Sequence, residues 1–463
     1  MNHHLRFPPG SRRIEAAVVG AGAFGRSFLA QGRRMPLMGA RIVVDRDIAT
    51  AAAGFTAIGI PAPDIAGCAT AAEARAAWDR GACVAADRLD TVLGLPFDVL
   101  VEASGQPEPA AVAALAAIRH RRHVALVSKE ADSVVGPWLA AEAAANGVVC
   151  TPVDGDQPSL LIDLVTWAET LGLEIIAAGK SSEYDFVFDP AAGRVTTEAG
   201  SVAVPGFDVL WTLPPGDIAP ALARRAELIG LPTRAVPDLC EMELVANATG
   251  LCPDVPGFHV PILRVSEVAT AFDMREEGGI LGGTGRLDVF NCLRLPDDLS
   301  FAGGVFVTVR CTDAATWRVL EGKGHILGRA GRAGLIYLPR HLLGIEAPFS
   351  VLDAVLNGRS SAGRTVRPRF DLVARATADL PAGRMLSAEG HHHEICDLAP
   401  ELVPAAPLRG DEAIPYYLLA NHPLARPVRR GAVITLADIA FGEGNALLRM
   451  RAAQDAMFFR SAA

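Results

Sequence analysis

The first apolar run of the chain, residues 16–19, predicts a short buried β-strand. Glycines follow at positions 20, 22 and 25, in the spacing G-x-G-x-x-G, and residues 26–34 are compatible with a helix. A second apolar run, residues 40–44, predicts another strand and ends at Asp45. This order of strand, glycine turn, helix and strand predicts a dinucleotide-binding βαβ unit. A glycine-rich turn in some other α/β protein is the alternative.

Each glycine of this turn has its own expected task. Gly20 permits the tight turn, Gly22 lets the backbone approach a pyrophosphate, and Gly25 lets the helix pack close to the strand. The N-terminus of the helix adds free N–H groups and a partial positive charge. We therefore expect Gly20, Gly22, Ala23, Phe24 and Gly25 to contact a dinucleotide cofactor.

Strand and helix patterns continue to alternate up to about residue 159. The alanine-rich segment 48–90 predicts helices joined by loops. Buried-strand patterns at 97–102, 123–127 and 148–151 alternate with helical patterns at 109–120, 138–146 and 159–171. Such alternation predicts a doubly wound parallel sheet of the Rossmann type.

Polar residues follow several of these predicted strands. Ser104, Lys129, Asp154 and Asp156 all come directly after an apolar run. Ligands of parallel sheets bind outside the carboxyl ends of the strands, so we expect these residues to line a ligand site. The strand-end residues Ala103, Ser104 and Gly105, together with Lys129, are also expected at the cofactor.

The pattern changes beyond the predicted sheet. A strand at 173–178 ends at Lys180, and a polar loop with Glu183 and Asp185 follows. Helical patterns at 219–229 and 238–248 and glycine-punctuated strands at 276–312 predict an α+β unit. A phrase of strand, glycine turn and strand occurs near 370–386 and again near 425–439. We predict a cofactor domain at 12–159, an α+β catalytic domain at 160–334, a helical segment at 335–365 and a small all-β domain at 366–463.

Composition narrows the class of protein. Of the 463 residues, 50% are hydrophobic and 21% are charged, which is typical of a globular protein with a sizeable core. The net charge of −9 argues against a nucleic-acid partner, and no apolar run is long enough to span a membrane. No signal-like segment begins the sequence, so we expect a cytoplasmic protein. The eight cysteines form no C-x-x-C pair and are predicted to be free thiols.

Lysine is rare in this chain. The 43 basic residues include only Lys129, Lys180 and Lys323, and all the others are arginine. Lysine is retained where a compact ammonium with an adjustable pKa is needed, so all three are candidate catalytic residues. Lys129 is predicted to donate a proton to a substrate oxygen with a lowered pKa, or else to pair with Glu130. Lys323, between glycines, is either part of a mobile lid or a solvated turn.

The acidic candidates leave several roles open. Asp154 and Asp156 could orient a lysine, bind substrate hydroxyls, or hold Mg²⁺ or Mn²⁺ with Glu183 or Asp185. They could equally cap the helix that follows. We assign no metal ligand, and we interpret the run 391–393 as surface histidines away from the cleft, because neighbouring imidazoles on a strand point to opposite faces.

Cofactor choice depends on the end of the second strand. Asp45 would accept a hydrogen bond from a ribose hydroxyl and favour NAD, whereas Arg46 would pair with a 2′-phosphate and favour NADP. The pattern does not decide between them. We expect NADP(H), with NAD(H) as the alternative.

The segments VVGAGAFGRSFLAQ, VSKEAD, TPVDGDQPS, EIIAAGKSSEYD, GGVFVTV and PRHLLGIEAPFS together resemble a known family. These are the homoserine-dehydrogenase-like oxidoreductases with a C-terminal SAF domain, which include the 1-deoxy-D-xylulose 5-phosphate reductoisomerase-like (DRL) enzymes. The resemblance covers about residues 14–439. It implies an NAD(P)-binding domain, a DRL-type catalytic domain, a β-clip SAF domain and a homodimer.

The resemblance implies an activity but no single substrate. DRL enzymes rearrange and reduce 1-deoxy-D-xylulose 5-phosphate with NADPH, a step of isoprenoid biosynthesis. Homoserine dehydrogenases share only the first domain and the lysine carried here by Lys129. We expect an NAD(P)-dependent oxidoreductase acting on a small polar hydroxy or keto compound, with a phosphorylated sugar as one candidate. The alternatives are a homoserine dehydrogenase-type enzyme and a non-catalytic NAD(P)-binding sensor.

Overall fold

The computed structural model describes residues 2–363, 365–390 and 393–459. Its first unit is a seven-stranded, fully parallel sheet with the order β3-β4-β2-β1-β5-β6-β7. The strands are β1 Ile14–Val19, β2 Met38–Val44, β3 Ile65–Cys68, β4 Cys83–Ala86, β5 Val99–Glu102, β6 His123–Leu126 and β7 Cys150–Pro152. The helices are α1 His3–Arg6, α2 Ala23–Gly32, α3 Ile48–Ala57, α4 Ala71–Asp79, α5 Pro107–Arg119, α6 Lys129–Ala145 and α7 Gln157–Thr170. This architecture confirms the predicted Rossmann class.

Both faces of this sheet are buried, which explains its continuous apolar strands. Successive residues of a strand point to opposite faces, so Ala17 and Leu100 pack with α5 and α6 while Val18 and Val101 pack with α2 and α3. An apolar cluster thus covers each face of the sheet. Because all seven strands are parallel, their carboxyl ends lie at one edge.

Two elements of this unit differ from the prediction. The segment 48–90 contains strands β3 and β4, because these four-residue apolar runs become strands when β4 pairs with β2 and β3 pairs with β4. Helix α6 begins at Lys129 and passes through Pro137. Gln454 accepts the N–H of Trp138 (3.2 Å) and donates to the carbonyl of Val134 (3.1 Å). It thereby bridges two backbone groups that flank Pro137, which itself has no N–H to donate within the helix.

The second unit is a mixed sheet built around one long strand, β8. Its strands are β8 Ile175–Asp189, β9 Arg194–Thr197, β10 Gly200–Ala203, β11 Cys252–Pro253, β12 Ile262–Leu263, β13 Arg286–Arg294, β14 Val305–Arg310 and β15 Ala333–Leu338. Its helices are α8 Ala219–Ile229, α9 Val236–Thr249, α10 Val268–Ala271 and α11 Ala314–Glu321. The predicted polar loop at 181–185 is therefore wrong, since those residues continue β8.

The last part of the chain is smaller. It contains α12 Pro348–Leu352 with a π-helical extension Asp353–Asn357, strands β16 Phe370–Ala376, β17 Ala388–Glu389, β18 Glu394–Ile395 and β19 Leu398–Pro404, and helices α13 Tyr416–Leu419 and α14 Ala446–Phe458. Strands β16 with β19, and β17 with β18, form two small antiparallel sheets. Helix α14, which the pattern did not predict, packs on α5 and α6. Tyr337 and Leu338, predicted as helical, end β15.

No helix of the described ranges has the length and apolar character that crossing a membrane requires.

Candidate active site

The glycine turn between β1 and α2 has the geometry that its spacing predicts. Gly20 has φ +93°, and a Cβ there would collide with the carbonyl of Ala103. A Cβ on Gly25 would collide with the carbonyl oxygen of Gly20, so helix and strand approach as closely as predicted. Gly22 is the N-cap of α2 and faces open space. The first turn of α2 therefore offers exposed N–H groups to an anion.

A cavity of about 560 Å³ opens beside this turn. It lies where the first unit, the mixed sheet and the C-terminal part meet. Seven predicted site residues line it: Ala23, Phe24, Ala103, Gly105, Lys129, Asp156 and Glu183. Other described residues add to the polar lining: Ser128, Gln157 and His341, which the sequence did not single out, Glu130, which was considered only as an ion-pair partner, and His393, which was expected at the surface.

Two of the three lysines meet on one buried carboxylate beneath this cavity. Lys129 and Lys180 both form ion pairs with Glu241, one on each carboxylate oxygen. Lys180 also pairs with Asp238 (2.8 Å), and Asp156 lies 3.9 Å from the Lys129 ammonium. The result is an alternating line of charges that runs from the cavity into the core.

Lys129 is the member of this line that reaches the cavity. It is the first residue of α6, and its side chain is 19% exposed. Burial alone would lower the pKa of its ammonium, but Asp156 and Glu241 raise that pKa well above the ordinary value. The predicted lowered pKa is therefore wrong, and the predicted partner Glu130 is replaced by Glu241. Lys129 is held as a cation.

Lys180 does not contact the cavity. It lies in the middle of β8, between Val289 of β13 and Val305 of β14, and its side chain is fully buried. Burial opposes its charge, but Asp238 and Glu241 outweigh this effect and raise the pKa of Lys180. Lys180 and Lys129 thus contact different oxygens of the same Glu241 carboxylate.

The pKa values of the carboxylates in this line are set by the same two effects, burial and opposite charge. Burial disfavours ionised Glu241, yet the two lysines overcome this effect and hold the pKa of Glu241 below its ordinary value. Burial raises the pKa of Asp238 and of Asp156 despite the lysines beside them. Gln157, with its amide turned to satisfy its neighbours, accepts from Lys180 (3.2 Å) and donates to Glu241 (3.3 Å).

Asp154 and Asp156 point to different places. Asp156 lines the cavity and caps α7 by accepting the N–H of Gln157 (3.0 Å), as the helix-cap alternative predicts. Asp154 lies instead in a second cavity, accepts a hydrogen bond from Ser361 (3.1 Å), and has its pKa raised by burial to about 6. The alternative in which Asp154 and Asp156 hold one metal ion together does not fit, because the two carboxylates lie in different cavities.

Glu183 and Asp185, the other residues of the metal alternative, do not converge either. Asp185 pairs with Arg294 (2.9 Å), while Glu183 lines the cavity. Within the described ranges, no group of three or more histidine, cysteine or acidic side chains is arranged to hold a metal ion. The carboxylates beside Lys129 are held by lysine ammoniums instead.

Lys323 lies outside the site. It follows α11 in an exposed turn, away from the lining of the cavity. The solvated-turn alternative fits this position better than a lid over the cavity.

One residue of the predicted surface histidine run belongs to the site. His391 and His392 lie outside the described residues, but His393 lines the cavity. Its Nδ1 lies 3.3 Å from a carboxylate oxygen of Glu130, which is buried in the first turn of α6. The prediction that this region lies away from the cleft is wrong for His393.

The remaining cofactor candidates surround the glycine turn. Asp45 accepts the N–H groups of Ala21 (2.7 Å) and Arg46 (2.7 Å), so its carboxylate supports the turn itself. The Arg46 side chain is 82% exposed and lies 3.6 Å from Asp47. Ser104 follows β5, and its backbone N–H donates to the buried Glu102 (3.0 Å).

Several site residues carried no sequence signal strong enough to find them. Asp238 and Glu241 are three residues apart on α9, one helical turn, and both are buried. The only sequence trace of this pair is two acids in a largely apolar helical segment, where a buried carboxylate would need a cationic partner. His341 donates from Nδ1 to the carbonyl of Gly303 (3.1 Å), and nothing in its local sequence indicates that contact.

Comparison with protein families identifies one match. Residues 236–347 match the sequence profile described as "Oxidoreductase DRL, catalytic domain". The matched segment begins at α9, which carries Asp238 and Glu241, and extends past His341. It confirms the predicted resemblance to the DRL oxidoreductases. The SAF likeness of the C-terminal part stays a prediction. A comparison with curated proteins finds no match.

Solved structures show distant likenesses. GenD2 from gentamicin A biosynthesis, in complex with NAD, is 18% identical over 78% of this chain and 93% of its own, with a TM-score of 0.35. An Agrobacterium radiobacter oxidoreductase in complex with NAD⁺, L-tartaric acid and magnesium is 13% identical over 39% of this chain, with a TM-score of 0.28. The alignment spans only 47% of that protein. A DOX-P reductoisomerase in complex with magnesium is 16% identical over 37% of this chain and 46% of its own, with a TM-score of 0.27. Likenesses at this level carry no functional argument.

Proposed function

We propose that this protein is an NAD(P)-dependent oxidoreductase that interconverts a hydroxyl and a carbonyl group of a small polar compound. The observation that carries the proposal is the cavity itself. It runs from the start of α2, beside the glycine turn, to the ammonium of Lys129. A cofactor and a substrate oxygen would thereby meet in one cavity.

The residues around the glycine turn fit a dinucleotide. Gly22 leaves the approach to the α2 N-terminus open, and the first turn of α2 would hold the pyrophosphate. Ala103 and Gly105, which line the cavity after β5, would lie beside the nicotinamide. When bound, the cofactor supplies a hydride to the substrate carbon or accepts one from it.

Lys129 would then hold the reacting oxygen. Because its neighbours keep it charged, it would act as a hydrogen-bond donor that stabilises negative charge developing on that oxygen. Glu241 fixes the ammonium, Lys180 holds Glu241 from behind, and Asp238 in turn pairs with Lys180. Loss of one such donor costs about 10²–10³ in kcat.

The cofactor is proposed to be NADP(H), with NAD(H) as the alternative. Asp45 already accepts the backbone N–H groups of Ala21 and Arg46, whereas the Arg46 guanidinium extends into solvent. That arrangement favours recognition of a 2′-phosphate. If Arg46→Ala weakens NADPH binding in calorimetry and leaves NADH binding unchanged, this choice is supported. Equal effects on both cofactors would refute it.

The substrate class follows from the size and lining of the cavity. A volume of about 560 Å³ suits a small molecule, and the lining offers an ammonium, carboxylates and imidazoles to hydroxyl groups. A phosphorylated sugar of the DRL type belongs to this class, and homoserine is the second candidate. A homodimer and a cytoplasmic location remain the predictions that the sequence suggests. Light scattering would test the dimer.

The decisive experiment is a turnover assay. Oxidation of NADPH would be followed with 1-deoxy-D-xylulose 5-phosphate, with and without Mg²⁺ or Mn²⁺, and reduction of NADP⁺ with homoserine and a panel of polyols. We expect turnover of at least one compound and a loss of about 10²–10³ in kcat for Lys129→Met. Lys323→Met is the matched control and should keep full activity. Tight cofactor binding without turnover of any compound would favour the sensor alternative and overturn the proposal.

A further inference from the structure

The proposed reaction moves a proton as well as a hydride. Reduction of a carbonyl adds a hydride to carbon, and the oxygen then takes up one proton. Oxidation of the alcohol reverses both transfers. A group that touches the substrate oxygen must therefore exchange that proton.

Lys129 is poorly suited to this task. It forms an ion pair with Glu241 and has Asp156 nearby, and its pKa is raised well above the ordinary value. Giving up a proton would leave the Glu241 carboxylate buried with one cation fewer. A general acid or base works best when its pKa lies near the pH of the reaction. Two imidazoles, of His341 and His393, also line the cavity.

The surroundings of His393 resemble those of a working acid–base residue. Its Nδ1 lies 3.3 Å from a carboxylate oxygen of Glu130, which favours the tautomer with the proton on Nδ1 and leaves Nε2 for another partner. Glu130 is 7% exposed and directly follows Lys129 on α6. One helix turn thus supplies both the cation and the carboxylate that orients the imidazole.

The backbone around His393 is held in an unusual conformation. His393 has φ +51°, a left-handed value that is uncommon for a residue other than glycine. The Tyr416 hydroxyl accepts the N–H of Ile395 (2.9 Å) and donates to the carbonyl of His393 (3.3 Å). The Tyr417 ring lies edge-on to the imidazole, with ring centroids 6.0 Å apart. Surroundings that maintain such a conformation are typical of functional sites.

From this geometry we propose that His393, oriented by Glu130, exchanges the proton with the substrate oxygen. The proposal rests on the proposed function, and it assigns part of the active site to the C-terminal part of the chain. In reduction, the N–H bond at Nε2 breaks and an O–H bond forms on the substrate. In oxidation, Nε2 takes the hydroxyl proton. Solvent restores the protonation state of the imidazole between turnovers.

The first test needs no substrate. Long-range ¹H–¹⁵N NMR of the purified protein reports which ring nitrogen of a neutral histidine carries the proton, and the signals of His393 are assigned by their loss in His393→Gln. We expect the Nδ1–H tautomer in the wild type and a mixture of tautomers in Glu130→Ala. An Nε2–H tautomer in the wild type, or a tautomer that Glu130→Ala leaves unchanged, would overturn the proposal.

The second test uses whichever compound of the turnover panel is reduced or oxidised. His393→Ala should lower kcat by about 10²–10⁴ with little change in KM or in NADPH binding, and added imidazole should restore part of the rate. His325→Gln, an exposed histidine, is the matched control. Two outcomes would overturn the proposal. One is full activity of His393→Ala, and the other is that added imidazole restores activity to His341→Ala but not to His393→Ala. If no compound turns over, the proposed function fails while the NMR test still decides the Glu130–His393 pair.

Discussion

Replacement of Lys180 by methionine tests the central electrostatic feature of the site. Lys180 is fully buried and faces Asp238 and Glu241, which are also buried. Methionine has a similar length and fits among the apolar neighbours Val289 and Val305. The substitution therefore removes the charge and leaves the packing volume nearly unchanged.

The expected loss of stability is large. Removing one partner of a buried ion pair costs about 3–5 kcal/mol, because the remaining charge is left uncompensated. Here the wild-type line holds two lysines against Asp156, Asp238 and Glu241, and the variant would hold only Lys129. A loss of this size is a substantial part of the total of about 5–15 kcal/mol that is typical of a folded protein.

The loss should depend on pH in a definite direction. Without Lys180, burial keeps the pKa of Asp238 in the folded state above its unfolded value. A group with a raised folded pKa stabilises fully below the unfolded value, near 3.9, and that stability is lost as the pH rises through the folded value. Lys180→Met should therefore be destabilised more at about pH 8 than at about pH 5. Urea unfolding followed by tryptophan fluorescence would measure both.

The double variant Lys180→Met/Asp238→Asn provides the control. An asparagine oxygen can still accept from Ser182, which donates to Asp238 at 2.6 Å in the wild type, but it carries no charge. We expect the double variant to recover more than half of the lost free energy of unfolding and most of the pH dependence. If the two substitutions are simply additive, or if the loss is the same at both pH values, Lys180 is not held by charge and the reasoning is refuted.

Three further predictions test other parts of the structure. Gly25→Ala should lose at least about 1–3 kcal/mol of stability, because its Cβ would collide with the carbonyl of Gly20, whereas Gly22→Ala should fold normally and bind NADPH more weakly. Thermal unfolding measures the first effect and calorimetry the second. Asp154→Asn should be more stable than the wild type at about pH 8 but not at about pH 4, since burial raises the pKa of Asp154 to about 6 and its ionisation opposes folding. Equal differences in thermal midpoint at both pH values would contradict this. Gln454→Leu should lower the free energy of unfolding by about 1–3 kcal/mol, because the Trp138 N–H and the Val134 carbonyl lose their partner inside a buried helix contact. An unchanged urea midpoint would show that Gln454 does not bridge α6.

Local pattern was sufficient for most of the first unit, apart from β3, β4 and the start of α6. The spacing of Gly20, Gly22 and Gly25 specifies a turn that only small residues can form, and the apolar strands specify a sheet buried on both faces. Strand order places Lys129 and Asp156 at one edge, so their meeting in one cavity was predictable. Each of these inferences depends on residues close together in sequence or on the general chirality of parallel sheets.

Other features were decided by contacts between distant segments. Lys180 lies in a strand rather than before a loop because β13 and β14 pair with it on both sides. The proton-binding properties of Lys129 are set by Glu241, which lies on a different helix, so the sequence alone predicted a lowered pKa where the structure raises it. Burial and opposite charge act in opposite directions on an ammonium, and the sequence contains the burial tendency but not the partner.

The C-terminal part shows the same division most clearly. Its sequence indicated short strands and an exposed run of histidines, and the strands of two small sheets are present. Tertiary structure alone brings His393 to Glu130 and Gln454 to the proline region of α6. The carboxylate beside this loop histidine comes from a helix that is distant in sequence, and no local period or spacing encodes the distance between the two side chains.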